Sequence, residues 1–241
     1  MLAASQISKS FSGVAALQNI SVVLMPGELT VVLGPSGSGK TTLLRCISLL
    51  ELPDSGSIEI DGHTYTHSTA RTAGQELYSR VGVVFQGLAL WPHLTLRENI
   101  LLPLRLKRGS TDDPYVAQLI EAFGMGSFVD RFPGQVSGGE KQRAAIVRAL
   151  VLRPSYLLLD EITSALDVEQ VVIVLRELER LKHEGVGILL ITHLLGFARR
   201  AADHFIFLSD GQIVERGPAV QLENPQSRRL QGFVRHLSQA S

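Results

Sequence analysis

The chain has 241 residues, 45% hydrophobic and 19% charged, enough for one α/β domain with a sizeable core, or for one domain carrying a subdomain. Its 23 Lys and Arg balance its 23 Asp and Glu, so a bulk electrostatic affinity for nucleic acid or an anionic membrane is not indicated. The single cysteine, Cys46, excludes an intramolecular disulfide and a cysteine-based metal cluster.

The first residues lack a basic region followed by a long apolar core, so no secretory signal is expected. The longest apolar stretch, 186–197, is short and carries Thr192 and His193, so no membrane span is expected. A soluble, cytoplasmic protein follows, with any membrane role supplied by a partner.

Residues 2–8 and 20–25 read as strands, separated by a loop over 9–14 that holds one aromatic, Phe11. Phe11 reads either as core or, lying upstream of the glycine-rich loop described next, as a stacking surface for adenine. Pro26-Gly27-Glu28 is a turn into the apolar, β-branched run Leu29-Thr30-Val31-Val32-Leu33. Then comes Gly34-Pro35-Ser36-Gly37-Ser38-Gly39-Lys40-Thr41, followed by a helical segment from Thr42 to residue 47. Strand, glycine-rich loop and helix in this order make a phosphate-binding loop. Gly34, Gly37 and Gly39 let the backbone approach a ligand closely. Successive N–H groups then form an anion nest backed by the helix dipole. Lys40 adds a point charge for the β- and γ-phosphates, and the Thr41 hydroxyl can ligate Mg²⁺.

Residues 57–60 read as a strand ending in an Asp61-Gly62 turn, and His63 and His67 fall in the polar stretch beyond, as surface residues. Residues 71–79 read as a short helix. Val81-Gly82-Val83-Val84-Phe85 is a strand, and Gln86 stands at its carboxyl end, where ligands sit in open α/β sheets. From 87 to 152 the strand pattern stops. Trp91-Pro92-His93 lies in a loop, and residues 96–106 and 116–123 have helical spacing, with Pro103 expected to kink or end the first of these helices. The insert reads as a helical subdomain. Trp91, with Leu88, Leu90 and Leu94, belongs either to its core or to an exposed docking patch.

Ser137-Gly138-Gly139-Glu140 opens a helix running to 152, with Ser137 as N-cap and Glu140 closing a capping box. Two glycines are poor helix formers, so in a first turn they mark close approach to the backbone and a second anion site. Tyr156-Leu157-Leu158-Leu159 is a strand buried on both faces. The Asp160-Glu161 pair at its end reads as a Mg²⁺ site plus a general base. Asp167 caps an amphipathic helix over 168–183. Residues 186–191 form another buried strand ending at Thr192-His193, which places His193 level with Gln86 and Glu161. Residues 205–208 and 212–215 pair around Asp210-Gly211, and helical residues 225–237 follow.

The glycine loop, Ser137-Gly138-Gly139, Asp160-Glu161, Ser164-Ala165-Leu166-Asp167 and His193, in this order, resemble the ATP-binding subunit of an ABC transporter, nearly end to end. Within that family the chain looks most like subunits serving polar amino acid uptake, on residues 34–46, 83–93, 192–198 and 217–225. The resemblance implies a P-loop NTPase fold in one ABC ATPase domain spanning 1–241. A mixed central sheet, an N-terminal antiparallel β region and a RecA-like core over about 1–86 and 153–241 would carry a helical subdomain over about 87–152.

By the same resemblance Phe11 stacks on adenine, and Gly34, Pro35, Ser36, Gly37, Ser38, Gly39, Lys40, Thr41 and Thr42 form the Walker A loop. Gln86 reaches the Mg²⁺ and attacking-water region, with Thr41 and Asp160 also at the metal. Ser137, Gly138 and Gly139 contact the γ-phosphate held by the other subunit. Glu161 is the base for the attacking water, Asp167 ends the D-loop at the dimer interface, and His193 is the switch histidine. ATP and Mg²⁺ are the implied ligands. The implied partners are membrane permease subunits, a second copy or a paired ABC ATPase and, indirectly, an extracytoplasmic solute-binding protein, without nucleic acid. The implied location is peripheral, at the cytoplasmic face of the cell membrane.

Three residues depart from the family pattern: Glu140 for glutamine, Ile162 for proline and Leu194 for a polar residue. They bear on rate and coupling and remove no catalytic group. The competing readings are an exporter or lipoprotein-release subunit, a soluble ABC ATPase of DNA repair or translation, and a regulatory module that binds nucleotide without hydrolysis. Soluble members typically carry coiled-coil inserts or tandem ATPase domains, which this chain lacks. Intact Lys40, Asp160, Glu161 and His193 argue against the regulatory module.

Overall fold

The computed structural model describes residues 1–69, 79–109, 111–162 and 166–240. The short helix expected over 71–79 falls, but for Ser79, outside the described residues, and so do Ser164 and Ala165.

Two sheets organise the molecule. The first is antiparallel, in the order β2 (Val14–Leu24), β1 (Leu2–Phe11), β4 (Ser55–Ile60), β5 (His63–Tyr65). The second has the order β10 (Gln212–Pro218), β9 (His204–Ser209), β3 (Leu29–Leu33), β8 (Gly187–Ile191), β7 (Tyr156–Asp160), β6 (Val81–Val84). All its pairings are parallel except β9 with β10.

β3, β7 and β8, in the middle of the second sheet, are buried at every position because both faces are covered, and side chains alternate between two cores. Val32, Leu158, Leu189, Ile206 and Leu208 pack with the inner face of the first sheet and with α1 (Lys40–Ile47). Val31, Leu33, Leu157, Leu159, Leu190, Phe205 and Phe207 pack on the opposite side, with helices. The sheets are also tied by Asp61, which accepts from Tyr156 Oη at 2.7 Å and from Arg80 Nη1 at 2.8 Å.

Between β6 and β7 the described residues hold no strand. They form α2 (Leu96–Arg108), α3 (Pro114–Ala122) and α4 (Gly138–Leu150). The remaining helices are α5 (Val168–His183), α6 (Leu195–Ala201) and α7 (Arg228–Ala240). The capping box predicted for α4 forms: Glu140 N–H donates to Ser137 Oγ at 3.2 Å and Ser137 N–H to Glu140 Oε2 at 2.7 Å. Asp167 caps α5 by accepting from Gln170 N–H at 2.8 Å.

Two expectations change. The loop over 9–14 is a tight hairpin, since Ser12 and Gly13 both take positive φ (50° and 82°) and let pairing continue to Phe11 and Val14. His63 lies in β5 and is exposed, as expected of a surface residue. Pro103 does not end its helix, which runs on to Arg108. A proline inside a helix costs about 3 kcal/mol. Full burial of Leu96, Ile100 and Leu104 on the inner face of α2 outweighs this, at roughly 1.5–3 kcal/mol per side chain. Cys46 is fully buried in α1 and burial pushes its thiol up to about 12, as suits a small apolar core residue.

Candidate nucleotide site

The parallel strands β3, β8, β7 and β6 end together. Val32 pairs with Ile191, Ile191 with Asp160, and Leu159 with Val84, so the residues that follow each strand emerge along one edge. A cleft of about 400 Å³ opens there, lined by Ala16, Ser36, Gly37, Gly39, Lys40, Thr41, Thr42, Gln86, Glu161 and His193. The glycine loop, Gln86, Glu161 and His193 thus meet as their positions in the chain predicted.

The loop is held by close backbone packing that demands glycine at two places. A Cβ on Gly34 would lie 2.1 Å from the Leu208 carbonyl oxygen, and one on Gly39 would lie 2.5 Å from that of Ala16. Gly39, with φ 101°, is the N-cap of α1 and supplies no capping side chain. The amides of a helix's first turn have no acceptor within the helix, so an anion is their natural partner. The β9–β10 hairpin buttresses the loop from behind, where Gly211 N–H donates to the Ser38 carbonyl at 3.1 Å. Ser38 Oγ is buried without a hydrogen-bond partner.

Lys40 is buried, and its Nζ donates to the carbonyls of Gly34 and Pro35, both at 2.9 Å. Burial lowers its pKa, opposed by the nearby charges of Glu161 and Asp160. Thr41 Oγ1 donates to Asp160 Oδ2 at 2.8 Å. A hydroxyl and a carboxylate side by side form an all-oxygen donor set, which suits Mg²⁺. Burial raises the Asp160 carboxyl pKa, as does the Glu161 charge, while the Thr41 hydrogen bond and the cations Lys40 and Arg45 lower it in part.

That shift has a consequence for stability. An acid whose pKa is higher folded than unfolded favours folding while protonated and costs stability once ionised. Asp160→Asn is therefore expected to raise the melting temperature of the nucleotide-free protein at pH 7. The gain should shrink as pH falls towards the ordinary aspartate pKa of about 4. Thermal melts across that range check it; a variant melting below wild type at pH 7 would contradict the burial cost.

Glu161 sits in the left-handed region, φ 52°, a sparsely populated conformation for a residue other than glycine and one often found at functional sites. Its N–H donates to the Ile191 carbonyl at 2.9 Å, and its carbonyl lies 3.5 Å from Gln142 Nε2. Its Oε1 lies 2.5 Å from His193 Nε2. Of the family departures, Ile162 is fully buried in the core, Glu140 closes the α4 cap, and Leu194 is 44% exposed.

Other predicted residues lie apart from the cleft lining. Phe11 is not core. It is 46% exposed on the β1–β2 hairpin, with Lys9 Nζ 5.3 Å from its ring centroid. Ser137 and Gly138 are exposed at the start of α4, Gly139 is buried beneath the Gln170 side chain, and Asp167 is exposed at the start of α5. Trp91 is 52% exposed. Its loop is fixed by the buried Asn99, whose side chain accepts from Trp91 N–H at 2.7 Å and donates to the carbonyls of Trp91, Leu94 and Thr95. Ala16, Gln142 and the docking of the Asp210-Gly211 turn on the glycine loop carry no local signal in the sequence, since each acts through contacts distant in the chain, whereas Asn99 acts on the loop just before its own helix.

Fold and cleft together define a P-loop NTPase. The family model of the ABC transporter matches residues 17–164. The glutamate transport ATP-binding protein GluA of Corynebacterium efficiens is 41% identical, over 97% of this chain and 98% of its own. The glutamine transport ATP-binding protein GlnQ of Escherichia coli is 39% identical, over 99% of this chain and 100% of its own. The arginine transport ATP-binding protein ArtM of Bacillus subtilis is 40% identical, over 97% and 98%. Among solved structures, a dimeric post-hydrolysis ATP-binding cassette bound to ADP and Pi superposes with a TM-score of 0.81 at 32% identity, covering 91% of this chain and 99% of that one. The chain belongs to the ABC transporter family, as one of its ATP-binding, ATP-hydrolysing subunits.

Proposed function

We infer that this ATPase powers uptake of a small solute, of the polar amino acid class, through a membrane permease. The observation that carries the reading is the full-length similarity to subunits named for glutamate, glutamine and arginine transport, joined to a cleft lined by Lys40, Thr41, Gln86, Glu161 and His193.

In this reading Gly34 to Thr42 bind the triphosphate through backbone N–H groups, and Lys40 turns its ammonium to the β- and γ-phosphates. Thr41, Asp160 and Gln86 would hold Mg²⁺, which would supply positive charge against the phosphates. Glu161 takes the proton of the attacking water, with His193 fixing its carboxylate. Phe11 offers its exposed ring to adenine. Ser137, Gly138 and Gly139 are not among the residues lining the chain's own cleft, which favours their completing the cleft of a second subunit, head to tail, with Asp167 at that interface. The partner is a second copy or a paired ABC ATPase. ATP joins the two and hydrolysis separates them.

The residues divide into a RecA-like core, about 1–86 and 153–241, and a helical subdomain, about 87–152, that carries the exposed Trp91 loop to the permease. No described helix is long and apolar enough to cross a membrane; in this reading the permease holds the subunit at the cytoplasmic face. A solute-binding protein outside would deliver cargo to the permease, and nucleic acid has no part. Gentle detergent extraction of the tagged protein from its native membranes tests this. A multi-span permease, with a solute-binding protein, is expected to co-purify. A permease without one would favour the exporter reading. Soluble partners or nucleic acid alone would overturn transport.

A further inference from the structure

The chain leaving Gln86 is bent in an unusual way. Leu88 and Ala89 are consecutive, neither is glycine, and both take left-handed φ values of 53° and 48°. Such residues are held only where the surroundings over-determine them. Local bonds close the turn: Leu88 N–H donates to the Phe85 carbonyl at 2.9 Å, and Ala89 N–H to that of Gly87 at 2.5 Å. Leu88 and Leu90 set their side chains against the main core.

The two carbonyls of this bend meet one side chain. Arg148, near the end of α4, donates from Nη2 to the Leu88 carbonyl and from Nη1 to the Ala89 carbonyl, both at 2.6 Å. A planar fork that cannot deprotonate at physiological pH matches two adjacent acceptors in a way a lysine cannot. Burial lowers the Arg148 pKa, so its placement here carries a desolvation cost that these bonds offset. The same helix begins at Ser137 and brings Gln142 to the Glu161 carbonyl, so α4 touches both the Gln86 loop and the backbone of Glu161.

We propose that Arg148 is a positioning residue for ATP hydrolysis: its guanidinium fork on the Leu88 and Ala89 carbonyls holds the bend that aims Gln86 into the cleft. The role rests on the reading that Gln86 serves the reaction. It is distinct from nucleotide binding, because Arg148 is not among the residues that line the cleft.

Arg148→Met keeps much of the stem and removes the fork. In the full-length protein, hydrogen exchange of amides over 86–91 should speed by about tenfold or more while β7 and β8 keep their protection. ATP turnover should fall by about tenfold with KM within about twofold of wild type, because the loss is in orientation and not in binding. Arg148→Lys, which retains charge and stem, should fall between the two. If Arg148→Met does not fold, this variant decides alone: wild-type turnover and wild-type exchange over 86–91 overturn the proposal. So does wild-type turnover in folded Arg148→Met, or protection lost equally across the chain. Gln86→Ala separates the two readings. If it turns over like wild type, the role of Gln86 fails; if it is slow while Arg148→Met is not, only the role of Arg148 fails.

Discussion

Glu161→Gln should bind MgATP at least as tightly as wild type and hydrolyse it about 10²- to 10⁴-fold more slowly, the range for removing a positioned general base. Glutamine keeps the shape of the side chain and cannot accept the water's proton. The fold should tolerate it, because the left-handed turn at 161 is held through its own main chain, Glu161 N–H donating to the Ile191 carbonyl and the Gln142 side-chain amide to the Glu161 carbonyl. A side-chain partner also remains, since the glutamine amide can still meet His193 Nε2. Loss of a negative charge beside the phosphates favours the bound state. With hydrolysis blocked, the ATP-joined pair should persist, and size-exclusion chromatography in MgATP should show a dimer that wild type forms only transiently. Turnover at the wild-type rate would remove Glu161 from the role of base. A slow variant that stays monomeric would instead count against the head-to-tail arrangement.

Lys40→Met separates binding from folding. The methionine preserves an unbranched stem in the buried channel and removes the ammonium that donates to Gly34 and Pro35. A hydrogen bond to a charged group contributes about 1.5–3 kcal/mol, so ATP affinity should fall by roughly 10- to 100-fold. The nucleotide-free protein should melt within a few degrees of wild type, because the desolvation cost of the buried ammonium disappears along with its two hydrogen bonds. The stabilisation that ATP at a hundredfold excess over the wild-type Kd gives wild type, about 2.7 kcal/mol, should shrink to about 0.4–1.4 kcal/mol at the same ATP concentration, read as a smaller rise in melting temperature. Retention of the wild-type rise would show that backbone N–H groups alone hold the phosphates. Removing Lys40 also withdraws a cation that lowers the Asp160 pKa, so the Asp160 carboxyl should titrate higher still in this variant.

Much of the site was legible before any coordinates. Short-range chemistry explains why. A glycine-rich loop between a β-branched strand and a helix has few uses, and Ser137 three residues before Glu140 satisfies donors that belong to the same turn. Runs of apolar residues without alternation marked β7 and β8 as strands covered on both faces. Reading strand ends then collected Gln86, Glu161 and His193.

Other features depend on neighbours far along the chain. Thr41 and Asp160, 119 residues apart, bond because β3 and β7 both flank β8 with their ends level. Arg148 reads as one more charged residue on an amphipathic helix until its fork is seen on carbonyls 59 and 60 positions earlier. Phe11 was open between core and a stacking surface for adenine, and the structure leaves it 46% exposed at the end of β1, beside the Ser12-Gly13 turn.

The sequence by itself determined the chemical parts: the anion-binding loop, the acidic pair, the capped helix starts and the strands that carry them. Each of these is a matter of local dihedral preference, hydrogen bonding within a turn, or side-chain periodicity. Only the tertiary structure decided which parts meet: the His193–Glu161 contact, the Leu208 and Ala16 carbonyls that exclude any side chain at Gly34 and Gly39, and the Arg148 brace behind Gln86. Those contacts follow from strand order and register, which are set by burying two faces of one sheet at once and have no signature in any short stretch of the chain.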